Sequence, residues 1–98
     1  MTPDEIKQFS QPAIMRAIEA YAEITGEKPS QLLLARGLGD PRKQALVSLW
    51  LRKDDKGRMP GKRSCLAIER ITQGAVRPWE IRPDLFKAPD ESNGASVA

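Results

Sequence analysis

Apolar residues recur at three-and-four spacing over 12–25, where Ile14, Ala17, Ile18, Tyr21 and Ala22 line one side and Arg16, Glu19 and Glu23 fall on the others. That period predicts an amphipathic α-helix, which Gly26 and the loop Glu27-Lys28-Pro29 bring to an end. Upstream, Thr2 and Glu5 stand at capping-box spacing around Pro3, predicting a short separate helix or arm over 1–11. Ser30 is an N-cap for a short apolar helix over 31–36. That helix stops at Gly37-Leu38-Gly39, because glycine takes the positive φ of a helix end without steric cost. Asp40 as a cap and Pro41 as a first-turn residue then predict a helix over 41–53, with Leu46, Val47, Leu49 and Trp50 as its apolar positions. A polar loop over 54–59 and Pro60-Gly61 lead into a helix over 62–72, with Cys65, Ile68 and Ile71 on one face. Past Gly74, two prolines and alternating character over 76–83 predict a short extended segment. Residues 88–98, with almost nothing to bury, read as a disordered tail.

Joined by so tight a turn, the helices at 31–36 and 41–53 make a helix-turn-helix. Ala35 is small enough for them to approach, Gly39 permits the chain reversal, and Leu34, Leu38, Val47 and Trp50 fill the angle between them. The polar residues at the front of the second helix are left over for a partner. Charge supports this placing. The net charge is only +3, but residues 36–63 hold nine Lys or Arg against three acids, a local +6, while both flanks are slightly acidic. Cations gathered around the motif are where a polyanion docks.

With 98 residues, 40% of them hydrophobic and 30% charged, the chain reads as one ordinary domain over 12–87, too short for a second core. No apolar run reaches the length of a membrane span or a signal-peptide core, so no membrane association and a cytoplasmic location are expected. One cysteine and no histidine exclude an intramolecular disulfide, the common zinc patterns and every Cys/His or Ser/His catalytic pairing. Neither a metal nor a cofactor is expected. Without a phosphate-binding glycine loop or carboxylates spaced to share a cleft, no enzyme is expected either.

The second half of the chain carries Met59-Pro60, then Cys65-Leu66-Ala67-Ile68-Glu69-Arg70-Ile71-Thr72-Gln73-Gly74, Val76 and the closing run Trp79-Glu80-Ile81-Arg82-Pro83-Asp84-Leu85-Phe86. Together with the helix-turn-helix, this combination resembles the Cro/CI superfamily of regulators. Within it, the chain resembles the YdaS-type family of small prophage proteins described as Cro-like repressors or antitoxins, over residues 30–86. The resemblance implies an all-α, compact, lambda-repressor-like helix-turn-helix domain of four to five helices with a short extended C-terminal segment. It also implies repression of transcription by a homodimer on a palindromic operator, at the nucleoid of a bacterial host. The chain departs from the family pattern in having Asp40-Pro41-Arg42 where a Ser/Thr-led start is usual, and in a longer stretch between Gly39 and Trp50.

On that docking, the front of the second helix enters the major groove of double-stranded DNA. Base contacts fall to Arg42, Lys43, Gln44, Ala45 and Ser48, since Gln pairs bidentately with adenine and Arg or Lys with guanine. Ser30 and Gln31, at the start of the preceding helix, and Arg52, Lys53, Arg58 and Lys62 are placed on phosphates, with Lys56 and Arg63 in the same cluster. Leu49, where the family tends to be polar, is a candidate partner contact. Trp79, Ile81, Leu85 and Phe86 form either a dimer or partner surface or a layer packed on the chain's own domain. Trp50, Tyr21 and Cys65 read as core. The competing function is a protein-binding module, an antitoxin or antirepressor that neutralises a toxin or another regulator.

Overall fold

Five α-helices and one 3-10 turn, with no strand, make up the described residues, 2–52 and 59–87, of the computed structural model. Residues 54–58 of the polar loop expected at 54–59 and the tail expected at 88–98 lie outside the described residues, Lys53, Lys56 and Arg58 among those not described. The helices are α1 (Pro3–Thr25), α2 (Gln31–Gly37), α3 (Gln44–Leu51), α4 (Lys62–Ile71) and α5 (Pro78–Ile81), with the 3-10 turn at Pro41–Lys43.

The first difference from the expected pattern is that α1 is one helix of 23 residues, running through Pro12. A proline inside a helix removes one hydrogen bond and crowds the preceding turn, at a cost of about 3 kcal/mol. Tertiary contacts from the segment around Pro12 offset it. The Ser10 hydroxyl, wholly buried, donates to the Ile81 carbonyl of α5. Lys7 Nζ donates to the Leu49 carbonyl at 3.3 Å and Gln11 Nε2 to the Leu51 carbonyl at 3.0 Å. The last carbonyls of a helix have no partner within it, so α1 supplies partners for the end of α3.

The core forms where these helices cross. Ala13, Ile14, Ala17 and Ile18 of α1 meet Leu34 and Ala35 of α2, Val47 and Trp50 of α3, and Cys65 and Ile68 of α4, with Val76 and Ile81 closing the far side. Trp50 is 2% exposed. A buried aromatic hides on the order of 150–250 Å², roughly 4–6 kcal/mol of apolar burial.

The second difference is at the C-terminal end. The expected extended segment contains a helical turn, α5, whose first residue is Pro78. Proline fits the first helical position, where its missing N–H would have no partner anyway. The Arg77 N–H donates to the Glu80 carboxylate at 2.6 Å and secures the turn. Between α4 and α5 the chain reverses through positive φ at Gln73 and Gly74, and Thr72 Oγ1 donates to the Ile68 carbonyl at 2.7 Å. Ile81 is thereby carried into the core and is fully buried.

Candidate nucleic-acid interface

The α2–turn–α3 unit is built from local capping. Ser30 Oγ accepts from the Leu33 N–H at 3.0 Å and starts α2. Gly39 takes φ +103°, in the left-handed region that favours glycine. The Asp40 N–H then donates back to the Ala35 carbonyl at 3.2 Å, turning the chain. Asp40 Oδ1 accepts from the Arg42 N–H at 2.9 Å, and the Arg42 guanidinium lies 3.1–3.2 Å from the same carboxylate. Those bonds hold the Asp40 carboxyl below its ordinary range, with a smaller contribution from Lys43.

Gly37 has a different task from the one expected of it. A Cβ there would lie 2.7 Å from Tyr21 Cε2 and 2.8 Å from Ile71 Cδ1, so this glycine gives room for α1 and α4 to press on the end of α2. The conformational freedom belongs to Gly39. The expected helix at 41–53 is also divided: its first turn is the 3-10 segment and α3 proper begins at Gln44. Asp40 caps that turn, and Pro41 and Arg42 are its first two residues.

Of the residues assigned to bases, Arg42, Lys43, Gln44 and Ala45 are exposed and Ser48 is half-buried. The four exposed ones are gathered at the 3-10 turn and the first residues of α3, ahead of Val47 and Trp50, both in the core, and Ser48 lies farther along the helix. Lys43 Nζ donates to the Leu38 carbonyl at 3.3 Å. Among the residues assigned to phosphates, Ser30, Arg52 and Lys62 are exposed and Gln31 is half-buried. Arg52 caps α3 with an extended backbone, and Lys62 opens α4.

The proposed partner residues separate. Ile81 is part of the core and Phe86 packs against it, so both take the intramolecular alternative. Leu85 remains 39% exposed, while Trp79 and Leu49 are half-buried. Sequence reading missed the role of Arg82. It donates from Nε and Nη2 to the two oxygens of Asp84 at 2.8 and 2.7 Å, and from Nη1 to the Pro60 carbonyl at 2.9 Å. The charged bond holds Asp84 below the usual carboxylate range. Behind it, burial pushes the Cys65 thiol up to about 11. Leu66 was also missed as a surface residue: it is half exposed, off the stripe of Cys65 and Ile68.

The family model described as bacterial toxin YdaS matches residues 14–90. The chain belongs to this family. Its match takes in the second half of α1, the whole α2–turn–α3 unit, α4 and α5. Family membership suggests a toxin- or antitoxin-like or regulatory prophage protein. No curated protein and no solved structure matches the chain. No described helix is long and apolar enough to cross a membrane.

Proposed function

We propose that the chain is a sequence-specific regulator of transcription that binds double-stranded DNA with α3 in the major groove, a Cro-like repressor acting as a homodimer on a palindromic operator. The observation that carries this reading is the grouping of Gln44 and Ala45 with Arg42 and Lys43, all exposed, at the front of a helix anchored by a buried Trp50. A side chain that reads a base needs a helix that cannot roll, and α3 is tied at its back by the core and at its end by Lys7 and Gln11. Ser30, Gln31, Arg52 and Lys62 lie on the elements beside it and supply phosphate contacts. One helix per chain reads one half-site, so a dimer doubles the contacts. Its place of action is the bacterial cytoplasm, at the nucleoid.

Fluorescence anisotropy against duplex from the gene's own upstream region and a scrambled duplex, across a salt series, tests the reading. Selective binding should weaken with a log-log slope near −0.9 per neutralised phosphate. Gln44→Ala should cost about 1–3 kcal/mol at a single base pair and leave the melt unchanged. Equal, weak binding to both duplexes would sink the reading. The family's description as a toxin favours a second one, in which the chain acts through contact with another protein.

A further inference from the structure

We propose that the groove between the helix-turn-helix turn and α4 is a docking site for an acidic, amphipathic helix of a partner protein. The groove itself stands independently of the DNA reading. Helix α4 has two unlike faces. Cys65 and Ile68 on the inner one are wholly buried. On the outer one, Arg63, Leu66, Ala67 and Arg70 fall at i, i+3, i+4 and i+7, a single stripe. Leu66, in the middle of it, is 50% exposed. Leu38 and Lys43 of the turn form the opposite wall. The groove therefore combines the apolar side chains of Leu38, Leu66 and Ala67 with three cations, Lys43, Arg63 and Arg70.

The acid in the groove, Glu69, is already countered, with Oε2 3.1 Å from the Arg77 guanidinium. The remaining field favours carboxylates. A phosphate strand satisfies Arg63 and Arg70 equally well but offers nothing apolar for Leu66 to meet. A helix that carries leucines between two acidic residues uses both features, in the helix-in-groove manner. Arg63 and Arg70 stand two turns apart along α4, about 10 Å. Partner carboxylates at i and i+7, with apolar residues at i+3 and i+4, match that spacing. Leu66 is the anchor, and the cations set orientation and encounter rate.

Lys43 gives the groove its consequence. It lines the groove and also stands in the turn before α3. A partner that engages it takes a cation from the proposed DNA face, so peptide and duplex compete. That consequence, unlike the groove, rests on the DNA reading.

The test uses the full chain and a fluorescein-labelled, stapled helix of about 15 residues, long enough to hold helical form. It carries Glu at i and i+7 and Leu at i+3 and i+4, and a control peptide has Lys in place of both Glu. Saturable binding is expected for the acidic peptide and none for the lysine peptide. Leu66→Ser, and Arg63→Glu with Arg70→Glu, should each weaken it by about ten-fold or more. These side chains are at the surface, so the variants should melt as wild type does. Failure to bind below about 1 mM, or equal binding to wild type and Leu66→Ser, overturns the proposal. So does a charge-reversed variant that loses duplex binding and keeps the peptide, which would give the groove to a phosphate strand. Absence of duplex binding with intact peptide binding would overturn the DNA reading alone.

Discussion

Two arginines in this chain make the same bond with an aspartate two residues away, and the two pairs do different things. At the turn before α3, Arg42 folds onto Asp40 with its side chain 90% exposed. At the C-terminal end, Arg82 grips Asp84 with its side chain 15% exposed, and extends a third bond to the Pro60 carbonyl 22 residues upstream. An exposed ion pair contributes little, because water and salt screen it. A shielded, forked pair that also satisfies a backbone carbonyl holds parts of the chain together. The turn before α3 keeps its cation in solvent, open to the ligand of the proposed function, and the C-terminal end uses its cation as a clamp.

Removing each arginine should therefore separate stability from binding. Arg82→Ala leaves Asp84 and the Pro60 carbonyl without their donor, and bonds to charged groups contribute about 1.5–3 kcal/mol. For a domain of this size each kcal/mol moves the midpoint by roughly 4–8 °C. Arg42→Ala should leave the thermal melt nearly where it was and weaken duplex binding. A thiol reagent gives an independent readout. Cys65 lies behind the clamp, with Sγ 3.9 Å from the same Pro60 carbonyl, and burial raises its thiol to about 11. Its modification should be slow in wild type and in Arg42→Ala, and much faster in Arg82→Ala. Equal rates in all three would show that the clamp does not close this end.

Crowding at Gly37 gives the next largest effect. Gly37→Ala puts a methyl against the tips of Tyr21 and Ile71, and overpacking of this kind costs about 1–3 kcal/mol. The midpoint in urea should fall with an unchanged slope. An unaffected midpoint would mean that the two side chains swing aside, and that α1 and α4 do not rely on this close approach.

That glycine also shows where the sequence was legible. The caps Ser30 and Asp40 are local, and both bond as their positions suggest. Helices α2 and α4 end within a residue of the expected boundaries, because their apolar stripes and stop signals lie inside the elements themselves. The exposed group at the front of α3 was readable for the same reason. What escaped depends on distant partners. Ser10 looks like a break in an apolar stripe until its acceptor, 71 residues away on Ile81, is known. Pro12 looks like a helix start until Lys7, Ser10 and Gln11, just before it, are seen bonded to α3 and α5. Pro78 and Pro83 suggested extended chain, while Ile81 between them belongs to a core assembled from α1 to α4. Gly37 looks like turn chemistry because nothing in its neighbourhood announces Tyr21 and Ile71.

Acid separates the two aspartates more gently. Both carboxyls are held below their ordinary value of 3.8, each chiefly by its arginine. A depressed folded-state value gives stability that is present above the unfolded value and is lost as pH falls through the folded one. Unfolding free energy should therefore decline below about pH 4. Asp84→Asn should flatten that decline by more than Asp40→Asn does, since the Asp84 pair is the shielded one. Equal flattening would erase the distinction between clamp and cap.

The smallest effect, and the sharpest, belongs to Asp40→Asn. Asparagine retains an oxygen for the Arg42 N–H, now bonded at 2.9 Å, so the turn into α3 should stand and the melt should fall only slightly, by the small contribution of an exposed, screened ion pair. What disappears is the charge that folds the Arg42 guanidinium back onto its own turn. With that arginine released and one acid gone from the face, duplex affinity should rise. If the freed arginine reaches a phosphate that it does not contact in wild type, the salt slope should steepen by about 0.9. Arg42→Ala in the same background should cancel the gain. A higher affinity that survives Arg42→Ala would trace it to the lost repulsion of Asp40 alone. A much lower melt with unchanged affinity would show that the carboxylate serves only the helix start, and that Arg42 does not stand ready for a ligand.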